Sequence, residues 1–264
     1  MRSTAVRRTA LAASSAALAL LVTACGSSSG DEDKNGDSAT AQADKAASAS
    51  AAPAAGKALT AAELEKVALV QADVKSGTVT EKVPAKDDIA QDKVTSGDAT
   101  CAPLAYLQSG SYVGKPAATA KRTWKGEAAK PAAGASDEDS FLAALDLEQA
   151  VITLASYEDG GAEQAMKDLN TSAEKCAAGF SFTVAGTESK ALKVTTTPAP
   201  EGADEALALT VTVDAGLKAP MKAVVVRKGA TVVYIPALNI ASASTGKDYD
   251  FPTEIVAAQL AKLG

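Results

Sequence analysis

The second half of the chain contains four segments in which apolar and polar residues alternate. They run over 191–197, 206–213, 223–228 and 230–235 and are rich in Val and Thr. Alternation of this kind, with β-branched residues, is typical of strands that bury one face. The connections are short, and the tightest is Lys228-Gly229, so they leave no room for parallel crossovers. The sequence therefore predicts an antiparallel meander.

Helical patterns precede and follow these strands. Thr60 and Glu63 have the spacing of a capping box, which predicts a short helix that ends near residues 69–71. From residue 162 to Gly179, small and apolar residues recur at helical spacing and predict one amphipathic helix. A proline at its start and an apolar face predict a last helix over 252–263.

Two more strands are expected in the middle of the chain. Residues 117–125 and 147–157 have strand-like composition, and we expect them to pair across an exposed loop at 126–139. Residues 74–99 are mostly small, polar and charged, which predicts a loop with one edge strand at 77–83. Together these patterns predict an α+β fold, with one antiparallel sheet flanked by helices.

The N-terminus has the pattern of a lipoprotein signal peptide. Three arginines precede a short apolar run, and Val22-Thr23-Ala24-Cys25 follows as a lipobox. We expect residues 1–24 to be removed and Cys25 to carry two acyl chains such as palmitate, which suffice for stable anchoring. The apolar run is short for a membrane span; a signal anchor with an incidental cysteine is the alternative. Arg7-Arg8 also permits the twin-arginine route, but the flanking residues fit it poorly, so general secretion is favoured.

The predicted mature chain divides into a tether and one domain. Residues 25–56 are almost entirely small, polar or charged, which predicts a disordered tether. Residues 57–264 suit a single domain with a sizeable core. The net charge of −6 includes the three arginines of the signal, so the mature chain is more acidic and is a poor nucleic-acid binder. We expect a monomer that is lipid-anchored at the extracellular face of the cell membrane.

Cys101 and Cys176 are the thiols that remain after lipidation of Cys25. An exported chain with two such cysteines usually joins them. The sequence therefore predicts one disulfide that closes a loop of about 75 residues, and two free buried thiols are the alternative.

Short motifs carry a resemblance to a known family. They are Leu59 to Leu64 with the later Cys101-Ala102-Pro103-Leu104, Val151 to Tyr157 with Ala162 to Ala165, and Cys176 beyond that helix. In this order they resemble PknH-type extracellular sensor domains of mycobacterial serine/threonine kinases, which also occur in actinobacterial lipoproteins. The resemblance implies a compact α/β domain with a cleft for an envelope ligand. The chain differs from that family in having one cysteine pair instead of two disulfides, and no kinase or transmembrane helix of its own.

Several kinds of chemistry are disfavoured by composition. The chain has no histidine, which excludes Ser-His-Asp and Cys-His nucleophile systems and removes the commonest zinc ligand. Ser172 with Lys175 and Ser244 with Lys247 allow a Ser-Lys pair formally, but a neighbouring carboxylate and a polar loop do not favour one. The acidic cluster at 137–139 lacks the pattern of an EF-hand loop. We expect no enzyme activity, no cofactor and no metal site.

Aromatic residues are scarce, so their positions are informative. Tyr106, Tyr112 and Trp124 lie near expected loops and are candidate ligand contacts, although packing in the core is the alternative. The leading hypothesis is a non-enzymatic, sensor-like lipoprotein domain that recognises an envelope component or a small solute. The alternative is a cell-envelope lipid carrier with an apolar cavity.

Overall fold

The computed structural model describes residues 56–214 and 218–264 of the chain. The predicted signal peptide, the lipidation site Cys25 and residues 25–55 of the predicted tether lie outside this part. Among the described residues, no helix combines the length and the apolar composition that crossing a bilayer requires.

The described residues form one antiparallel sheet of nine strands, which confirms the predicted fold class. The strands are β1 (Thr78–Thr80), β2 (Val94–Ser96), β3 (Ala118–Lys125), β4 (Glu148–Ser156), β5 (Phe180–Val184), β6 (Thr187–Thr197), β7 (Glu205–Asp214), β8 (Lys218–Lys228) and β9 (Thr231–Asn239). From edge to edge their order is β1-β3-β4-β9-β8-β7-β6-β5-β2. Every neighbouring pair is antiparallel.

Helices cover both faces of this sheet. In the described part of the chain they are α1 (Ala61–Val67), α2 (Ala102–Gln108), α3 (Asp137–Leu145), α4 (Gly161–Lys175), α5 (Ile240–Thr245) and α6 (Thr253–Leu263). Helices α2 and α4 pack on one face, here called the α2 face, and α1 and α6 pack on the other, the α1 face. Helices α3 and α5 contact each other where β9 ends.

Side chains of the central strands alternate between two buried clusters. Val224 and Val226 of β8 lie in the cluster on the α1 face, whereas Val225 lies with Tyr234 on the α2 face. This is the period of two that a strand imposes on its side chains. Because both faces are covered, β8 and β9 are almost wholly apolar along their buried lengths.

The predicted meander is confirmed, and its strands are longer than expected. Strands β6 to β9 follow one another in the sheet, and β5 precedes them as a fifth consecutive strand. A bulge between Ala191 and Lys193 shifts the pairing of β6 with β7. As a result Ala191 and Val194, three residues apart, both join the cluster on the α2 face.

The predicted pairing of 117–125 with 147–157 is also confirmed. Strands β3 and β4 pair from Ala118 opposite Ser156 to Lys125 opposite Gln149. The expected loop at 126–139 is wrong in its last three residues, where α3 begins at Asp137. Ser136 caps this helix, because its hydroxyl accepts a hydrogen bond from the Asp139 backbone amide.

Helix α1 has the predicted capping box. The Glu63 carboxylate accepts a hydrogen bond from the Thr60 backbone amide at 2.8 Å, and the Thr60 hydroxyl accepts one from the Glu63 backbone amide at 3.3 Å. The helix ends at Val67, earlier than expected, because Ala68 takes an extended backbone conformation.

The disulfide between Cys101 and Cys176 is present, with the two Cα atoms 5.9 Å apart. It joins the residue before α2 to the residue after α4, and both cysteines are buried. The two helices on the α2 face are therefore covalently linked. Of the two possibilities left open by the sequence, paired cysteines and free thiols, the structure shows the pair.

The first described residue lies at one end of the sheet. Gly56 is next to the β8–β9 hairpin, where a Cβ added to it would be 3.4 Å from the Ala230 nitrogen. A few residues later, the Leu59 amide donates to the Ser156 hydroxyl at the same end of β4. The described part of the chain therefore begins beside the Lys228–Thr231 turn.

Candidate ligand-binding cleft

Helix α2 ends in a tight turn that fixes the residues after it. The Gly110 amide donates to the Leu107 carbonyl at 3.1 Å, and the Ser111 amide donates to the Tyr106 carbonyl at 2.9 Å. This is the hydrogen-bond pattern of a Schellman motif, which needs a left-handed residue after the cap. Gly110 supplies it, with φ of +69°.

The same glycine lets the helix end approach β4. A Cβ on Gly110 would lie 2.9 Å from Cγ1 of Val151, so a larger residue has no space there. On the other side of the turn, the Thr153 hydroxyl donates to the Gly110 carbonyl at 2.8 Å. The end of α2 is therefore fixed against the sheet, with Gln108 as its last helical residue.

Residues 81–93, here called the crossing segment, connect opposite edges of the sheet. They follow β1 at one edge and lead to β2 at the other, and they cross on the α2 face. The Lys121 ammonium contacts the Asp88 carboxylate at 2.8 Å. The side-chain amide of Gln91 donates a hydrogen bond to the Tyr112 carbonyl at 2.9 Å. These contacts hold the segment above the sheet.

A cleft of about 530 Å³ lies between the crossing segment, the sheet and the end of α2. Its size falls in the range of small-molecule sites. Apolar side chains that remain partly exposed supply much of its surface: Ile89, Val151, Val184, Met221 and Leu238. Charged residues at its rim are Lys86, Asp87 and Lys125, and the two lysines are solvent-exposed.

Gln108 contributes to the wall of this cleft and is only 7% exposed. Within the described structure, its side-chain Nε2 and Oε1 make no hydrogen bond, and neither does the buried hydroxyl of Ser111, three residues later. Buried polar groups in folded proteins are nearly always paired, since leaving one unpaired costs roughly 1–3 kcal/mol. The amide of Gln108 is therefore an unsatisfied donor and acceptor inside the protein, and other atoms of the residue line the cleft.

The three aromatic candidates from the sequence do not come together. Tyr106 and Tyr112 pack, partly buried, against the cluster on the α2 face. Trp124 belongs to a strand segment that borders the cleft, but its ring lies in the cluster on the α1 face. There its Nε1 donates a hydrogen bond to the Ser76 carbonyl at 3.0 Å. Their role in ligand contact stays a prediction.

Two buried tyrosines stabilise the loop after α2. The Tyr157 hydroxyl donates a hydrogen bond to the Val113 carbonyl at 2.6 Å and lies 2.7 Å from the Tyr234 hydroxyl. Because the Tyr157 proton is used in the first bond, Tyr234 is the donor in the second. Burial raises the pKa of Tyr157, and it raises the pKa of Tyr234 to about 12. Both hydroxyls stay protonated near neutral pH, so the pair holds the loop in place instead of transferring protons.

Other features of the described residues are less suited to ligand binding. A polar hollow of about 570 Å³ lies between the 129–135 loop and helices α3 and α5, and a mainly apolar one of about 240 Å³ lies between 198–200 and α6. Neither is lined by a buried side chain known to have unpaired polar atoms. In residues 56–214 and 218–264 no three His, Cys, Asp or Glu side chains are grouped to hold a metal ion.

Sequence reasoning missed Gln108, although a signal was present. Leu104 and Gln108 are four residues apart, so they share one face of α2, and Leu104 is a core residue. A glutamine on a core-facing stripe just before a Ser-Gly helix end is a polar residue in an apolar position.

Comparisons with known proteins return distant structural similarities. No family model and no curated protein matches the chain. The extracellular domain of PknH from Mycobacterium tuberculosis is 12% identical with a TM-score of 0.41, over 78% of this chain and 97% of that one. An Rv0999 ortholog from Mycobacterium smegmatis is 13% identical with a TM-score of 0.34, over 81% and 99%. Similarities of this size assign neither a family nor a function.

Proposed function

We propose that this chain is an exported lipoprotein that binds a small solute or a cell-envelope component in the cleft beside α2, without converting it chemically. The observation that carries the proposal is a cleft of about 530 Å³ whose surface includes partly exposed apolar side chains. A ligand in this cleft buries those apolar side chains, which supply its contact area.

Export and anchoring are supported by separate features. The lipobox around Cys25 is the signal for attachment to the outer face of the cell membrane. The disulfide between Cys101 and Cys176 fits an oxidising compartment, since such bonds are rare in the cytosol. A non-enzymatic role fits the absence of histidine from the sequence and the structural role of the tyrosine pair.

Occupancy of the cleft can be measured at one methyl group. The chain after the predicted cleavage site contains two methionines: Met221 lines the cleft and is partly exposed, whereas Met166 is fully buried in the core. The chain from Gly26 to Gly264, exported with its disulfide and labelled at the methionine methyl carbons, is titrated with cell-wall fragments and small solutes. We expect saturable shifts of Met221 with little change at Met166. If no compound shifts Met221, the proposed function is wrong.

Lipid carriage is the second candidate, because the cleft has partly exposed apolar side chains such as Met221 and Leu238. The charged rim favours a small solute instead. Native mass spectrometry with lipid extraction, on protein purified without detergent, separates the two. We expect an empty protein; stoichiometric co-purified lipid would favour the carrier.

A further inference from the structure

We infer that the cleft takes a small monocarboxylate with a compact apolar body, whose carboxylate lies at Lys125 and whose body extends over Leu238 to Met221. This inference rests on the proposed function and specifies the ligand class and its orientation in the same cleft. It is drawn from the register of four neighbouring strands and from the charges that line the cleft.

The floor of the cleft is a part of the α2 face of the sheet. Val151 of β4 lies on this face, since a Cβ added to Gly110 would contact its side chain. Gln149 is two residues before Val151 on the same strand and therefore shares its face. Lys125 of β3 is directly opposite Gln149, and so is Leu238 of β9 on the other side. Because residues directly opposite each other have their side chains on the same face, Lys125 and Leu238 belong to this floor as well.

One row of side chains crosses the floor from polar to apolar. Met221 of β8 lies beside Leu238, because positions 222 and 237, next to them on the two strands, are directly opposite each other. In the strand order β3, β4, β9 and β8 the row is Lys125, Gln149, Leu238 and Met221, and all four residues line the cleft. With neighbouring strands about 4.8 Å apart, the row is roughly 14 Å long.

The polar end of the row has donors and an unopposed positive charge. Lys125 is solvent-exposed, and its ammonium forms no ion pair with any residue of the described structure. The other charged residues that line the cleft are Lys86 and Asp87, which lie 4.0 Å apart and offset each other. A carboxylate beside Lys125 can accept from its ammonium and from the Gln149 amide, whereas a ligand ammonium would place like charges together.

The apolar end of the row limits the length of the ligand. Leu238 and Met221 are partly exposed and supply contact area. Beyond Met221 the next strand has Val211 directly opposite it, and Val211 is fully buried in the cluster on the α2 face. The row is closed there, so an apolar body of about 10 Å, or two strand spacings, covers the floor from Gln149 to Met221.

Three probes that share one apolar body test the inference. Hydrocinnamate carries the carboxylate, hydrocinnamamide is neutral, and phenylpropylamine is cationic. Each is titrated into the chain from Gly26 to Gly264, exported with its disulfide, and the Met221 methyl resonance is followed. We expect the carboxylate to bind about threefold to fivefold more tightly than the amide, and the amine to bind more weakly than both. Because Lys125 is exposed, this preference should shrink as salt is raised from about 20 mM to about 0.5 M.

Charge variants assign the preference to one lysine. Lys125→Gln should abolish the preference for the carboxylate over the amide, and Lys125→Arg should retain it. The matched control is Lys193→Gln, which removes an exposed lysine of β6 that does not line the cleft and should keep the preference. An unchanged Met166 methyl resonance establishes that each variant is folded, since Met166 is fully buried in the core.

The outcomes separate this inference from the proposed function. Equal binding of the carboxylate and the amide, tightest binding of the amine, or a preference that survives Lys125→Gln would overturn the carboxylate class while Met221 still reports an occupied cleft. A long-chain fatty acid recovered by lipid extraction of the purified protein would contradict the compact body. If no probe and no solute shifts Met221, the proposed function fails and the inference fails with it.

Discussion

Gln108 is a buried residue whose side-chain amide has no hydrogen-bond partner among the described residues. Its amide is buried without a partner in the described structure, so the folded state carries the cost of removing it from water. An apolar side chain of similar length would avoid that cost.

We therefore expect Gln108→Met to stabilise the protein in the absence of ligand. Removing the unpaired donor and acceptor should raise the free energy of unfolding by about 1 kcal/mol. Urea unfolding followed by circular dichroism measures it, with Gln149→Met as the control, for which we expect a change within about 0.5 kcal/mol. A loss of stability in Gln108→Met would show that the amide is satisfied in solution.

At the scale of elements, α6 is tied to the segment after α1 by carboxylates. The Glu254 carboxylate accepts hydrogen bonds from the Lys75 amide, the Ser76 hydroxyl and the Ser76 amide, which together lower its pKa. Asp73 has its pKa lowered by Lys262 of α6, whose ammonium is 2.7 Å away, and by the Val70 amide. Both sets of contacts hold α6 against the segment that follows α1.

These shifts make stability depend on pH in acid. A carboxyl whose pKa is lower in the folded state stabilises the fold fully above its unfolded pKa, and the stabilisation is lost as pH falls through the folded pKa. We expect the melting temperature to fall between roughly pH 5 and pH 3. Glu254→Gln should lower it at pH 7 and flatten this decline, whereas Glu174→Gln, at an exposed site on α4, should preserve the wild-type profile. Identical profiles for the wild type and Glu254→Gln would contradict the assignment.

The disulfide stabilises the pairing of α2 with α4. Closing a loop of 75 residues in the unfolded chain is worth about 4.5 kcal/mol in the chain-entropy model. We expect Cys101→Ser with Cys176→Ser to lower the free energy of unfolding by that order, measured by urea unfolding against the oxidised wild type. A reducing agent should lower the stability of the wild type and leave the double variant unchanged. Equal stability of the two proteins would mean that the bond adds nothing.

An element could be predicted when the pattern that specifies it is local in the sequence. The alternation over 191–235 and the stripe of α4 are local, so β6 to β9 and α4 could be predicted from the sequence. Helix α3 has no buried residue, so its apolar residues Phe141, Leu142 and Leu145 do not form a core-facing stripe. Strand β2 is three residues long and is defined by its pairing with β5. The cleft could not be predicted because the crossing segment lies over it only when β1 and β2 occupy opposite edges.

At the scale of the whole molecule, the proposed anchoring depends on Cys25, in the part of the chain before the described residues. We expect Cys25→Ala to move the protein from the membrane fraction to the soluble exported fraction, because the two acyl chains supply the anchor. Cell fractionation with immunoblotting measures this, and a variant with Cys101→Ser and Cys176→Ser is the control that should remain in the membrane fraction. Membrane retention of Cys25→Ala would contradict the lipobox assignment.

The position of Gly56 beside the β8–β9 hairpin has a practical consequence. The cleft is bordered by Pro236, Ala237 and Leu238, at the far end of β9 from that hairpin. At about 3.4 Å per residue, the seven to nine residues between Gly229 and this part of β9 put roughly 25–30 Å between the attachment point and the cleft. Protein coupled to a sensor chip through its N-terminal end should therefore keep its full binding capacity, whereas coupling through Lys86 or Lys125 should obstruct the opening.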